Sequence, residues 1–228
     1  MSILDKTIKE VTAEYEVRLH MSYDEWRAQV ADSKQSEWVD GEVIIFMPPS
    51  IRHQDISTFL AALLKFFVDH FQLGKVISAP VEMRATYWGN AREPDILFVS
   101  HEHADRFDEM RLAGAADLVV EVISPESVRR DTYDKFHEYE AAGVTEYWII
   151  DARPGYAEAR FWVLDESGHY REVEVDAEGI YHSTVLPNFW ISVDWLWPES
   201  QPSPLLAFAE IVGLSKETID LLRSLRKK

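Results

Sequence analysis

The chain has 228 residues, 46% of them hydrophobic, and a formal net charge of −17. That apolar supply is enough for a folded core and excludes global disorder. The acidic excess argues against a general nucleic-acid coat or a binder of anionic membranes, though not against a small site where a metal ion bridges to phosphate. There is no cysteine, which removes disulfides, zinc–thiolate centres, iron–sulfur clusters and cysteine nucleophiles. No apolar run approaches the ~20 residues of a membrane helix, and the polar start lacks the apolar centre of a secretory signal. The expectation is a soluble cytoplasmic protein with no membrane partner.

Taken in order, residues 1–20 are polar and read as a loosely held arm. Ser22 followed by Asp24 and Glu25 predicts a capped helix start. Asp40-Gly41 between apolar stretches predicts a hairpin over 37–47, stopped by Pro48-Pro49. Ile56, Phe59, Leu60, Leu63, Leu64, Phe67 and Val68 recur at helical spacing, predicting a helix over 53–71 that ends at Gly74. Strands follow over 76–78, 81–87 and 95–99, with a polar loop over 101–114. The near-continuous apolar run 117–124 predicts a central strand covered on both faces. A helix is expected over 127–142, closed by Gly143, then a strand over 146–151. An antiparallel extension is expected over 159–164, 170–175 and 180–184, and a final helix over 203–226. This order predicts a single α/β domain, a mixed sheet with helices on its faces.

Three residues carry the chemistry. Alternation places Glu121 on one face of the central strand with Val119 and Ile123, and a carboxylate buried there must find a cation, a donor or a proton. Asp95 opens its strand after Pro94. Lys135 borders the inward flank of its helix with Asp131, Phe136 and Tyr139. Each also has an ordinary explanation: an ion-paired Glu at a strand end, a turn aspartate, a solvated Lys paired with Asp131. Together, two carboxylates on neighbouring strands make a hard oxygen site suited to Mg²⁺ or Mn²⁺, with an ammonium placed to orient water or stabilise developing charge.

The ordered set Glu37-Trp38-Val39-Asp40-Gly41-Glu42, His53-Gln54, Pro94-Asp95, Glu121-Val122-Ile123-Ser124-Pro125, Asp134-Lys135 and 142–151 resembles the Uma-two family of restriction endonucleases, within the PD-(D/E)XK nuclease superfamily. The resemblance runs over 22–196 and implies a restriction-endonuclease-like core. It implies Asp95 and Glu121 as metal-holding carboxylates, the Val122 carbonyl as a further ligand, and Glu37, with Glu42 as its rival, as a third catalytic carboxylate. The superfamily's lysine stands two residues after the second carboxylate; Ile123 occupies that position, and Lys135 on the following helix takes the role. A metal-dependent endonuclease acting on DNA is implied, with a homodimer.

Other residues have two readings. His53 and Gln54 read as substrate contacts or as a helix-start hydrogen bond. Arg129 and Arg130 are placed near the site to meet phosphate. Ser124 lacks a nucleophile frame and reads as a cap. Trp190, Trp195 and Trp197 read as core, a dimer surface or a stacking platform. Because the net charge opposes approach to DNA, a non-catalytic binding or assembly module with an acidic face is the alternative, and a nuclease for a small phosphodiester a third.

Overall fold

A computed structural model describes residues 16–31 and 35–225. Strand β1 (Glu16–His20) occupies the last part of the segment expected to be a loose arm; residues 1–15 lie outside the described residues. β1 pairs antiparallel with β3 (Glu42–Phe46), which also pairs with β2 (Ser36–Val39). Between β2 and β3, Asp40 and Gly41 both have positive φ, 49° and 86°, as a two-residue turn matched to strand twist requires. Helix α1 (Tyr23–Gln29) starts at a reciprocal cap: Ser22 Oγ accepts from the Glu25 N–H, and the Glu25 carboxylate accepts from the Ser22 N–H at 2.9 Å.

Helix α2 (Ile51–Phe71) begins where Ser50 Oγ accepts from the His53 N–H. The remaining strands are β4 (Gly74–Ser78), β5 (Glu82–Met83), β6 (Ile96–Ser100), β7 (Arg111–Leu112), β8 (Leu118–Ile123), β9 (Glu146–Asp151), β10 (Glu158–Leu164) and β11 (Tyr170–Val173). Six form the central mixed sheet, ordered β11-β10-β9-β8-β6-β4. Its one parallel pair is β8–β9, and the crossover between them carries helix α3 (Lys135–Ala142). Every residue of β8 is buried. Leu118, Val120 and Val122 face the α2 side with Phe59, Leu63 and Phe67. Val119 and Ile123 face the α3 side with Tyr139 and Tyr147. The two faces follow from side-chain alternation along one strand.

Several expectations need correction. The strand expected over 81–87 shrinks to β5, which pairs in parallel with β7, inside the stretch read as a loop. That stretch also holds the 3-10 helix His101–Arg106. The helix expected from 127 opens as a π-helical turn, Arg130–Asp134, before α3. β12 (Ile180–His182) does not extend the sheet but pairs with β13 (Trp190–Ser192) as a separate ribbon. The single helix expected over 203–226 is two, α4 (Pro204–Ile211) and α5 (Lys216–Leu225). They part at Gly213, φ 70°, where the Leu214 N–H bonds back to Ala209 O at 2.9 Å and closes the first helix. Trp190, Trp195 and Trp197 pack half-buried against the α2-side core, which favours the core reading. Among the described residues no helix is long and apolar enough to cross a membrane.

The ribbon is tied to the sheet by Glu146. Its carboxylate accepts from Trp148 Nε1 at 2.6 Å, Tyr181 Oη at 2.8 Å, Ser183 Oγ at 3.1 Å, Thr184 Oγ1 at 2.8 Å, and the N–H groups of Thr184 at 2.9 Å and Val185 at 3.1 Å. Glu146→Ala leaves these buried donors unpaired, so we expect a loss of ~3 kcal/mol in denaturant unfolding. A loss below ~1 kcal/mol would show that water replaces the carboxylate.

Candidate active site

Asp95 stands where β6 stops pairing with β8. Ile96 lies opposite Val120; beyond that rung the Asp95 carboxylate takes over, its Oδ2 accepting from the Val122 N–H at 2.8 Å. In an extended strand the N–H and C=O of one residue point to the same edge, so the Val122 carbonyl faces the same gap. His53, in the first turn of α2, closes it from the other side, with Nε2 3.3 Å from Asp95 Oδ2. Burial acts most strongly on the His53 imidazole and lowers its pKa. The Asp95 hydrogen bond and charge, with Asp131 and the Val122 carbonyl, outweigh it, and the net shift is upward.

Glu121 projects from the opposite face of β8, toward α3. Lys135 and Tyr139, one turn apart, both reach it: Lys135 Nζ donates to Oε1 at 2.7 Å and Tyr139 Oη to the same oxygen at 3.0 Å. Lys135 is 3% exposed at its side chain and also lies 2.9 Å from Glu37 Oε1 and 3.5 Å from Asp131 Oδ1. Glu37 comes from β2 in the small sheet. Its Oε2 accepts from Arg92 at 2.9 Å and its Oε1 from the Glu93 N–H at 3.3 Å. Arg92 in turn holds Glu138, with Nε donating to Oε2 at 2.8 Å.

Asp95, Glu121, Glu37, Val122, His53, Arg130 and Lys135 all line one polar cavity of about 50 Å³, with Glu93 and Asp131. The three side chains singled out from separate stretches of sequence thus meet. Both oxygens of Glu37 are engaged, by Lys135, Arg92 and a backbone N–H, so Glu37 enters the cavity as an already partnered carboxylate. Others do not enter it. Glu42 lies away from the cavity, paired with Arg18 at 3.3 Å. Arg129 is 85% exposed, 4.0 Å from Asp134, whereas Arg130 enters the cavity and packs on the Phe46 ring. Gln54 lines a neighbouring groove of about 540 Å³ that shares Asp95 with the cavity. Arg92, Glu93 and Tyr139 were not anticipated as site residues. For Glu93 the signal was its place beside Pro94-Asp95; Arg92 left none, because only the fold carries it to Glu37.

Burial is the largest influence on each of these groups. For Glu37 it raises the pKa, but Lys135, Arg92 and Arg130 overcome it and bring the carboxyl down to about 2. For Glu121 it combines with the charges of Asp131, Asp95 and Glu37 to outweigh Lys135, and the carboxyl is pushed up. For Lys135 it opposes the charge, yet Glu121, Glu37 and Asp131 raise the ammonium's pKa further. Lys135 is therefore a fixed cation with no tendency to accept a proton.

The donor set fits a hard divalent cation. Six acidic side chains, Glu37, Glu93, Asp95, Glu121, Glu126 and Asp131, line the cavity with Lys135 and Arg130, and Arg92 stands behind Glu37. Asp131 Oδ1 is buried without a hydrogen-bond partner. Glu121 commits Oε1 and Asp95 commits Oδ2 to protein donors, which leaves one oxygen of each toward the cavity. No group of three or more acidic or imidazole side chains among the described residues is disposed to hold a metal. Two carboxylates and a carbonyl, with water filling the rest, is the pattern suited to Mg²⁺.

Glu93 gives a test of this electrostatic picture. Burial, the leading cause, lifts its carboxyl to about 8. The folded state then holds a proton that the unfolded state releases above its ordinary value near 4.5, so the contribution of Glu93 to stability falls as pH rises from there to about 8. Glu93→Gln keeps an acceptor for the Ser36 N–H, bonded at 3.2 Å. It should match the parent at pH 5 and be more stable by ~1–2 kcal/mol at pH 9. Equal melting at both pH values would refute it.

The family model described as "Uma2: Putative restriction endonuclease" matches residues 21–194. A solved structure, the crystal structure of a "putative nuclease belonging to DUF820" from Anabaena variabilis, shares the fold with a TM-score of 0.59 and 17% identity, over 76% of this chain and 95% of that one. No curated protein matches the chain. The family match contains every residue of the cavity, and the chain belongs to the Uma2 family, "Putative restriction endonuclease".

Proposed function

We propose that the protein is a metal-dependent endonuclease that hydrolyses phosphodiester bonds of DNA. The observation that carries this reading is the arrival of Asp95, Glu121 and Lys135 from three elements at one polar cavity, with a carboxylate oxygen of Asp95 and one of Glu121 left uncommitted. Asp95, Glu121 and the Val122 carbonyl would hold Mg²⁺ or Mn²⁺. When bound, such an ion polarises a phosphoryl oxygen and acidifies a water.

The chain's own groups do the rest. Lys135 keeps Glu121 in place through Oε1 and presents a fixed positive charge where negative charge develops on phosphorus oxygens. Its pKa, lowered by burial but raised further by Glu121, Glu37 and Asp131, favours the charged form, in keeping with an ammonium that orients water or stabilises developing charge. Glu37 and Arg92 hold Lys135 and the α3 end together. His53 orients Asp95. The groove beside Asp95 offers Gln54, Ser57, Thr58 and Ser78, neutral donors of the kind that bind phosphate and sugar. A backbone can thus be seated there without the lysines that the net charge of −17 denies the surface.

The alternative, a non-catalytic binding module, is favoured by one observation: Lys135 and Glu121 are almost fully enclosed, at 3% and 4% side-chain exposure. Mg²⁺- or Mn²⁺-dependent cleavage of plasmid DNA by the purified protein, lost in Asp95→Asn, supports the nuclease. Metal binding with no cleavage of any nucleic acid supports the module.

A further inference from the structure

Residues 84–91 form an excursion with a firmly closed stem. Met83 and Arg92 exchange backbone hydrogen bonds at 2.8 and 3.0 Å, and Ala91 and Trp38 exchange two more at 2.9 Å. Within the loop the Gly89 N–H bonds to Thr86 O at 3.0 Å, and Arg84 Nε donates to Gly89 O at 3.1 Å. The tip nevertheless presents two large aromatic rings to solvent, Tyr87 at 78% and Trp88 at 86% exposure. They touch only edge to face, with centroids 4.6 Å apart and planes at 87°, so one ring face is open for stacking. Exposing two aromatics on a pinned loop leaves apolar surface in water and calls for a partner.

The second observation is Arg84. Its guanidinium lies 4.0 Å above the Tyr23 ring and 6.0 Å from Trp38, and among the described residues it has no carboxylate partner. Its neighbour Arg111 is neutralised by Asp108 at 2.9 Å and Glu82 at 3.6 Å. In a chain of net charge −17, an arginine clamped in place and left without an acid is set for an external anion. Arg84, Tyr87, Trp88 and Tyr23 line one cleft of about 580 Å³ together with Arg111 and with Asp24, which is not ion-paired to Arg84. Flat aromatic faces beside an unpaired guanidinium match a nucleobase with its adjoining phosphate.

We propose that the 84–91 loop is a binding site for single-stranded nucleic acid, with bases stacking on Tyr87 and Trp88 and a phosphate on Arg84. This deepens the nuclease reading and rests on it for the class of ligand. The stem of the loop is continuous with the site: Arg92, at its foot, is the residue that grips Glu37. A strand opened at the loop would be held next to the catalytic cavity by backbone already rigid, which offsets part of the repulsion from the acidic surface.

The test is fluorescence anisotropy of a fluorescein-labelled oligothymidylate of about twelve nucleotides, titrated with the full chain at low salt in EDTA. Trp88→Ala, Tyr87→Ala combined with Trp88→Ala, and Arg84→Gln should each weaken binding ~10-fold or more. Trp88→Phe should restore most of it. No binding by the parent, or equal binding by the loop variants, overturns the site. So does a Trp88→Ala variant whose sole change is oligomeric state in sedimentation, which would assign the loop to contact with a second copy. The readout needs no turnover. Cleavage with Mg²⁺ but no loop-dependent binding therefore sinks this proposal alone, while loop-dependent binding without cleavage sinks the catalytic reading alone.

Discussion

Lys135→Met should cost ~3–5 kcal/mol of folding stability at pH 8 and markedly less at pH 5. The methionine keeps the unbranched stem, so the loss isolates the charge. With the ammonium gone, Glu121 and Glu37 lose the cation held at 2.7 and 2.9 Å, and Asp131 loses it at 3.5 Å. All three carboxylates are buried. Removing one member of a buried charge cluster leaves uncompensated charge, and that is the costly kind of substitution. The pH dependence follows from the directions of the shifts. Burial above all raises the carboxyls of Glu121 and Asp131, and Lys135 opposes it; with the ammonium gone both rise further, and holding them neutral in the folded variant costs less at pH 5 than at pH 8. Only Glu37, held low chiefly by Lys135 and Arg92 against its burial, still wants a cation at pH 5, and Arg92 remains. Urea unfolding at the two pH values checks this; a loss under ~1 kcal/mol at both would mean that the cluster does not depend on Lys135. Lys135→Arg, which keeps the charge with a different shape, should recover much of the stability. Cleavage lost in a Lys135 variant thus speaks to mechanism only when the variant is shown to be folded.

The parts of this site that could be read in the sequence are those fixed by local periodicity. The run 118–123 alternates, so Glu121 had to share a face with Val119 and Ile123, and it does. The spacing of Asp131, Lys135 and Tyr139 put them on one flank of a helix, and the three do converge on Glu121 or its neighbours. Asp40-Gly41 and Ser22-x-x-Glu25 are turn and cap chemistry that acts over two to four residues. What escaped was set by long-range pairing. Arg92 reaches Glu37 only because β2 and the 84–91 stem are laid side by side by the Trp38–Ala91 bonds. The strand expected over 81–87 had the right residue types, but its pairing ends one residue past Met83, with the Arg84 N–H bonded to Leu112 O at 2.9 Å. Ile180 to His182 found a partner in β13 instead of the sheet, drawn there by the hydrogen bonds of Glu146. Gly213 split a helix whose apolar periodicity ran on through it. Helical spacing singled out Lys135, and the resemblance between motifs gave it the role of the superfamily's displaced lysine.

Asp95→Asn should reduce Mn²⁺ affinity at least ~10-fold and plasmid cleavage by ~10³-fold or more, with little change in melting temperature. The amide still offers an oxygen to the Val122 N–H, now bonded at 2.8 Å, so the end of β6 stays pinned. What disappears is the charge facing the cavity, one of the two carboxylates proposed to hold the ion. Glu121→Gln should lose metal as well, but with a different pH signature in the parent. Burial keeps the Glu121 carboxyl raised in the metal-free protein, and metal binding must displace that proton. Mn²⁺ affinity of the parent should therefore climb with pH, by up to ~10-fold per unit, until Glu121 is ionised, and proton release should accompany the titration. In Glu121→Gln the residual affinity should be flat over the same range. Isothermal titration in two buffers of different ionisation enthalpy measures both quantities. An unchanged isotherm for either variant, or a parent affinity independent of pH, removes that carboxylate from the metal site. Were both to survive, Glu121 would stand only as the buried counter-ion of Lys135, and the cavity would be a structural knot between β8 and α3.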